Sequence, residues 1–162
     1  MDDEKECDVF FVGLSAKKVA SADEKPLSPG AISGKILLAL ESECGGITAY
    51  KTNLVKCLPL DDSGKLRYPS KIEMDVCAPN LAKEIEALRP KIVFLLGSKV
   101  AEAVAQFFSL KFEKFDGFEY KVYERQNVSF APVHHPSYVH VYKRKEVSKY
   151  IEKLGAIVQN HC

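Results

Sequence analysis

Short apolar runs of strand length alternate with stretches of helical periodicity. This alternation predicts an α/β fold, a three-layer α/β/α sandwich around a central, mostly parallel sheet of four to five strands. Two further observations agree. The segment Lys91-Ile-Val-Phe-Leu-Leu96 is apolar nearly throughout, as a strand buried on both faces must be. The chain has 162 residues, 46% of them apolar and 28% charged, which suits one globular domain spanning 1–162 and excludes a disordered or fibrous protein.

The elements follow in order. Residues 1–7 are acidic and are expected to form a frayed leader. The first strand is Asp8-Val-Phe-Phe-Val12, closed by Gly13, and a polar loop runs on through Pro26 and Pro29. Ile36, Leu37 and Leu40 carry the first helix, which ends near Gly45-Gly46. The second strand covers Ala49 to Val55 and leads into the turn-rich stretch Leu58 to Pro69. A long amphipathic helix starts near Ser70, with Leu81, Ile85 and Leu88 at helical spacing, and Arg89-Pro90 stops it. After the buried strand, Gly97-Ser98 opens a helix whose inner face carries Val100, Ala101, Val104 and Phe107. Two strands are expected at Tyr120–Tyr123 and Val128–Val133, and the last helix at Lys143 to Val158.

The net charge is +1, so any affinity for nucleic acid must come from a local patch. One basic run stands out, with Lys143, Arg144, Lys145, Lys149 and Lys153 against Glu146 and Glu152. Taken alone, such a run is the solvated face of a helix. No segment is long and apolar enough to span a membrane and the opening residues are acidic, so a cytoplasmic location, no membrane partner and a monomer are expected. The five cysteines, Cys7, Cys44, Cys57, Cys77 and Cys162, are odd in number and contain no CxxC pair, which favours reduced thiols over a disulfide framework.

In a doubly wound sheet, ligands bind where the strands give out at their carboxyl ends. Three such ends carry small or polar residues and can share one pocket. They are Gly13-Leu-Ser-Ala16, Thr52-Asn-Leu-Val-Lys-Cys57 and His134-His-Pro-Ser-Tyr138. Alone, an Asn at a strand end or a Ser after His-Pro serves a turn. Their joint order says more.

In that order the chain resembles the uracil-DNA glycosylase superfamily. Phe10-Phe-Val-Gly13 with Leu14-Ser-Ala16 is similar to the family's first motif, and Pro26-Leu27 with Gly30 to Leu37 to the segment that packs on the base. Thr52-Asn-Leu-Val-Lys-Cys57-Leu-Pro59 resembles the family-4 segment of bacterial and archaeal enzymes, as does Arg89 to Gly97 followed by Ala101. His135-Pro-Ser-Tyr138 matches the HPSY motif, and Val141-Tyr142-Lys143 resembles the basic DNA-intercalation loop.

The resemblance implies a glycosylase that hydrolyses the N-glycosidic bond of uracil in DNA, flipping the nucleotide out of the stack to reach it. It implies Asn53 as reader of the base edge and His135 as hydrogen-bond donor to the leaving base, these two being the catalytic residues. Gly13, Leu14, Ser15 and Leu27 are expected to join Asn53 in holding the base. Ser137, Tyr138, Val139, Lys143, Arg144 and Lys145 are expected to meet DNA, with Tyr138 and Val139 as wedges and the cations on phosphates. The partner implied is DNA containing a deaminated base. Hypoxanthine or xanthine in place of uracil, or a member that binds nucleic acid without catalysis, remain alternatives. An anion site at Gly97-Ser98 in an unrelated α/β protein is a third.

Three departures from the family pattern matter. The acid that follows the first glycine is replaced by Leu14, with Asp23 and Glu24 as nearby substitutes. The usual Pro-Phe is Pro26-Leu27, so Phe10, Phe11 or Tyr68 would have to supply stacking. Family-4 enzymes hold an iron–sulfur cluster on four thiolates. Here Cys57 and Cys77 stand roughly where two would be, but the amino-terminal CxxC is missing and Cys7 cannot replace it. No metal and no cofactor are expected.

Overall fold

A computed structural model of the protein describes residues 8–16 and 26–162. Its sheet has five strands: β1 (Val9–Ser15), β2 (Ala49–Val55), β3 (Ile92–Leu96), β4 (Tyr123–Arg125) and β5 (Val128–Val133). The order is β2-β1-β3-β5-β4. All pairings are parallel except β4 with β5. Five helices cover it: α1 (Ile32–Cys44), α2 (Lys71–Leu88), α3 (Ser98–Phe108), α4 (Pro136–Tyr142) and α5 (Val147–His161).

Strand alternation sends successive side chains to opposite faces and so builds two cores. Val9, Phe11, Ile92, Phe94 and Leu96 pack with α1, α4 and α5. Phe10, Val12, Val93 and Leu95 pack with α2 and α3. The expected α/β/α sandwich is present.

Helix boundaries follow local chemistry. Ser70 caps α2, accepting from the Glu73 amide while Glu73 accepts from the Ser70 amide, a reciprocal pair that satisfies two otherwise orphaned donors. Arg89 adopts a left-handed φ of 45° and ends the helix before Pro90. Gly34 is required. A methyl group there would collide with the carbonyls of Ser28 and Leu27, so α1 can press against that turn only with glycine at this position.

Two elements differ from the sequence reading. The fourth strand is Tyr123–Arg125, not Tyr120–Tyr123, and it is antiparallel. Gln126 and Asn127 both take positive φ, 48° and 64°, which makes the two-residue turn that folds β4 back onto β5. Tyr120 is thereby released from the sheet to pack elsewhere. The last helix does not begin at Lys143. Pro136 sits at the first position of α4, where its fixed φ suits a helix start. The chain breaks at Lys143, makes one 3-10 turn over Arg144–Glu146, and only then enters α5.

Strand β1 lies between β2 and β3, so the direction of winding reverses beside it. Crossovers there leave the crest of the sheet open, and a crevice at the carboxyl ends is the geometric result.

Candidate functional site

That crevice is a cleft of about 1240 Å³. It gathers the ends of β1 (Gly13, Leu14, Ser15, Ala16), β2 (Asn53), β3 (Leu96, Gly97) and β5 (Val133, His134, His135). All five residues expected to hold a base line it: Gly13, Leu14, Ser15, Leu27 and Asn53. His135 joins them from the far side. Asn53 lies on β2, and His135 follows β5, three strands further along the sheet, as the N-cap of α4.

The parallel register places Gly13 directly beside Asn53. A methyl group on Gly13 would come within 2.5 Å of Asn53 Oδ1, so glycine is what gives the amide its room. Asn53 is only 9% exposed, and it lines the cleft. Lys56 turns back over the strand end, bonding the Asn53 carbonyl oxygen at 2.8 Å as well as Thr52 and Glu84.

His135 is oriented by its own neighbour. The Ser137 amide donates to His135 Nδ1 at 3.2 Å, and the Ser137 hydroxyl lies 2.6 Å from the same nitrogen. A backbone N–H can only donate, so Nδ1 is the acceptor and the ring proton sits on Nε2. Ser137, expected to meet DNA, thus has its hydroxyl on His135.

His134 was not singled out as a site residue, yet it lines the cleft. Its Nδ1 lies 2.6 Å from the Tyr120 hydroxyl, and its carbonyl accepts from Tyr150 at 2.7 Å. Burial, with help from the nearby Lys143 charge, holds its pKa below the ordinary imidazole value. Burial pushes Tyr120 well above the usual phenol range, so Tyr120 keeps its proton. Phe115 packs edge-on against this ring, with centroids 4.8 Å apart, and also lines the cleft.

The expected DNA-contacting residues divide. Tyr138 lies at the cleft and is 42% exposed. Val139 is 0% exposed and packs in the core beneath α4, so it cannot wedge into DNA. Helix periodicity explains the correction, because consecutive residues of a helix face different ways. Val141 and Tyr142 are the exposed residues at that rim. Lys143 lies 3.8 Å from Glu146, Arg144 bonds His140 Nε2 at 2.8 Å, and Arg144 and Lys145 are exposed on the 3-10 turn.

Of the aromatics considered as replacements for the missing stacker, Phe10 and Phe11 are fully buried in the two cores and cannot serve. Tyr68 lines the cleft with Lys99 4.9 Å above its ring. Asp23 and Glu24 lie outside the described residues. No Asp or Glu lines the cleft among the described residues.

Of the cysteines, Cys7 lies outside the described residues and the other four stand apart. Cys44 packs against one core and Cys77 against the other, on opposite faces of the sheet. Cys57 is exposed after β2, and Cys162 is at the carboxyl terminus near the Asp8 carbonyl. Among the described residues no three His, Cys, Asp or Glu side chains converge as ligands. Nor, among those residues, is any helix long and apolar enough to cross a membrane.

Fold and cleft together define a doubly wound α/β/α protein with an open cleft at its strand switch point. Comparison with known proteins then gives the family. The chain belongs to the uracil DNA glycosylase superfamily, whose family model matches residues 3–157. It is 26% identical over 162 residues to the type-4 uracil-DNA glycosylase of Archaeoglobus fulgidus, covering 94% of this chain and 78% of that one. It is 27% identical to the enzyme of the same name from Saccharolobus solfataricus, over 80% of this chain and 61% of the relative, and 29% identical to that of Sulfurisphaera tokodaii, over 86% and 56%. It thus spans about three fifths of the length of the last two. The crystal structure of Pedobacter heparinus SMUG2 shares the fold, with a TM-score of 0.62 at 10% identity over 96% of this chain and 76% of that one.

Proposed function

We propose that the protein is a DNA glycosylase that hydrolyses the bond between uracil and deoxyribose. The observation that carries this reading is that Asn53 lines one cleft with the tautomer-fixed His135. An amide offers one acceptor and two donors, which complements the N3–H and O4 edge of uracil. The base enters the cleft by flipping out of the stack.

In the reaction the C1′–N1 bond breaks and its electron pair leaves with the base, placing negative charge on N1 and O2. The Nε2–H of His135 donates to that oxygen and stabilises the charge as it develops. The sugar cation takes a water molecule and releases its proton, leaving an abasic site and free uracil. The relatives' names support uracil as the base.

The test uses a labelled oligonucleotide with one uracil, treated with alkali to cleave abasic sites. Wild-type protein should cut at the uracil, and Asn53→Ala and His135→Ala should not do so at the same enzyme concentration. Parallel oligonucleotides with hypoxanthine and xanthine establish the base. Failure to cut any of the three, single-stranded or paired, would sink the enzymatic reading.

A further inference from the structure

The two residues on which the proposed reaction depends are not held alike. His135 follows β5, which has β3 on one side and β4 on the other, and its ring is bonded by Ser137. Asn53 stands on β2, the outermost strand, which among the described residues pairs with β1 alone. An edge strand lacks one side of its ladder, and local opening concentrates where pairing is thin. A side chain that must present a hydrogen-bonding edge to a base needs firmer support than that.

Lys56 supplies it. This residue comes directly after β2, and its side chain turns back along the strand. Its Nζ donates to the Asn53 carbonyl at 2.8 Å and to the Thr52 hydroxyl, and it pairs with the Glu84 carboxylate on α2. Glu84 is itself fixed, for its other oxygen accepts from the Tyr50 hydroxyl at 2.9 Å. An ammonium has three N–H donors, and these three acceptors use all of them. Thr52 is buried, so one of the acceptors lies within the fold rather than at its surface. On the neighbouring strand Gly13 leaves the Asn53 amide its room, while Lys56 fixes the backbone from which that amide springs.

We infer that Lys56 is a positioning residue: anchored by Glu84, it sets the orientation of Asn53 in the cleft and contacts neither base nor phosphate. The inference rests on reading Asn53 as the residue that meets the base, and adds what aims it. Lys56 also lines the cleft, and the usual task of a lysine beside bound DNA is to meet a phosphate. Two features oppose that task here. The ammonium already has its three acceptors, and the carboxylate beside it offsets the charge that would draw DNA.

The experiment pairs single-turnover excision of uracil from an oligonucleotide with 1H–15N spectra of the free protein, in which the Asn53 side-chain amide is assigned by its loss in Asn53→Ala. Lys56→Met should lower the maximal rate about tenfold, with little change in the half-saturating enzyme concentration, and should move or broaden the Asn53 amide signals. Glu84 does not line the cleft, and Glu84→Gln should act in the same direction by about threefold without tightening DNA binding. Circular dichroism melts of each variant establish folding, and Glu84→Gln, which keeps the shape of its side chain, serves where Lys56→Met folds poorly. A phosphate contact makes the opposite predictions. Weaker binding at an unchanged maximal rate, with a shallower salt dependence, in Lys56→Met overturns the proposal, as does tighter DNA binding at full activity in Glu84→Gln. If wild type excises uracil but the Asn53 signals and the rate ignore both substitutions, the glycosylase reading stands and the positioning falls. If wild type excises no base while the Asn53 signals still follow Lys56, the positioning stands and the glycosylase reading falls.

Discussion

The two walls of the cleft are held by different forces. On the β2 side, the loop after the strand is pinned by exposed polar contacts. Asp61 accepts from the amides of Ser63 and Lys65, both at 2.9 Å. Arg67 grips Glu73 with two hydrogen bonds of 2.8 and 2.7 Å, and Glu73 also holds the Ser70 cap. On the β5 side, His134 is packed among Phe115, Phe118, Tyr120 and Tyr138, with the fully buried Tyr150 bonded to its carbonyl. The difference has a consequence. Ion pairs in water weaken with salt and acid, whereas buried rings do not. The wall that carries Asn53 is expected to be adjustable, and the wall that carries His135 rigid.

The largest effects should come from the two residues that the walls present. Asn53→Ala and His135→Ala should each lower kcat/KM for uracil excision by about 10²- to 10³-fold, the usual loss for one well-placed donor. The walls separate in how the loss appears. Removing His135 should fall on kcat, because its bond strengthens as charge develops, while removing Asn53 should also erode discrimination against cytosine. Single-turnover kinetics on uracil and cytosine substrates distinguish the two.

Gly13→Ala comes next. The added methyl group would meet Asn53 Oδ1 at 2.5 Å and push the amide off its line. Excision should fall at least tenfold while the melting temperature moves by only a few degrees. A fully active Gly13→Ala would show that the amide is not where recognition occurs.

Tyr150→Phe tests the rigid wall. It deletes the hydroxyl that satisfies the His134 carbonyl in a fully buried setting, and should cost about 1–2 kcal/mol in a urea melt. Ser137→Ala, by freeing His135 Nδ1 from its hydroxyl, should lower kcat by about tenfold with little change in stability.

The smallest effect is on the polar wall. The Arg67 guanidinium, then the Ser70 amide, pull the Glu73 carboxyl down to about 2. Its contribution is therefore complete above the ordinary carboxylate range near pH 4.3 and disappears as the pH falls toward 2. Proteolysis by pepsin within residues 58–70 should accelerate over that window in the wild type. In Glu73→Gln it should already be fast at the upper end.

Much of this was legible from the sequence. The strands that alternate with helices, the ends of α2 at Ser70 and Arg89, and the three strand ends that meet at the cleft all follow from local patterns. Asn53, His135, Gly13 and Leu27 were named from motif order, and all four line the cleft. Val139, expected as a wedge, is buried because the helical turn that Pro136 starts sends that side chain inward. His134 entered only as part of a strand end, without a role, and Phe115 was not named. Spacing held a signal for the first, in rings at 134, 138 and 142, but Phe115 reaches the cleft from a loop whose path no local pattern dictates.

Local chemistry along the chain thus determined which segments become strands and helices, where they stop, and which side chains stand at the strand ends, since propensity, capping and periodicity act over a few residues. Only tertiary structure decided that Gly13 lies beside Asn53, that β4 runs backward, and that aromatic rings close around His134. Register, strand order and ring stacking depend on residues far apart in sequence, and these meet only when the sheet closes over both cores.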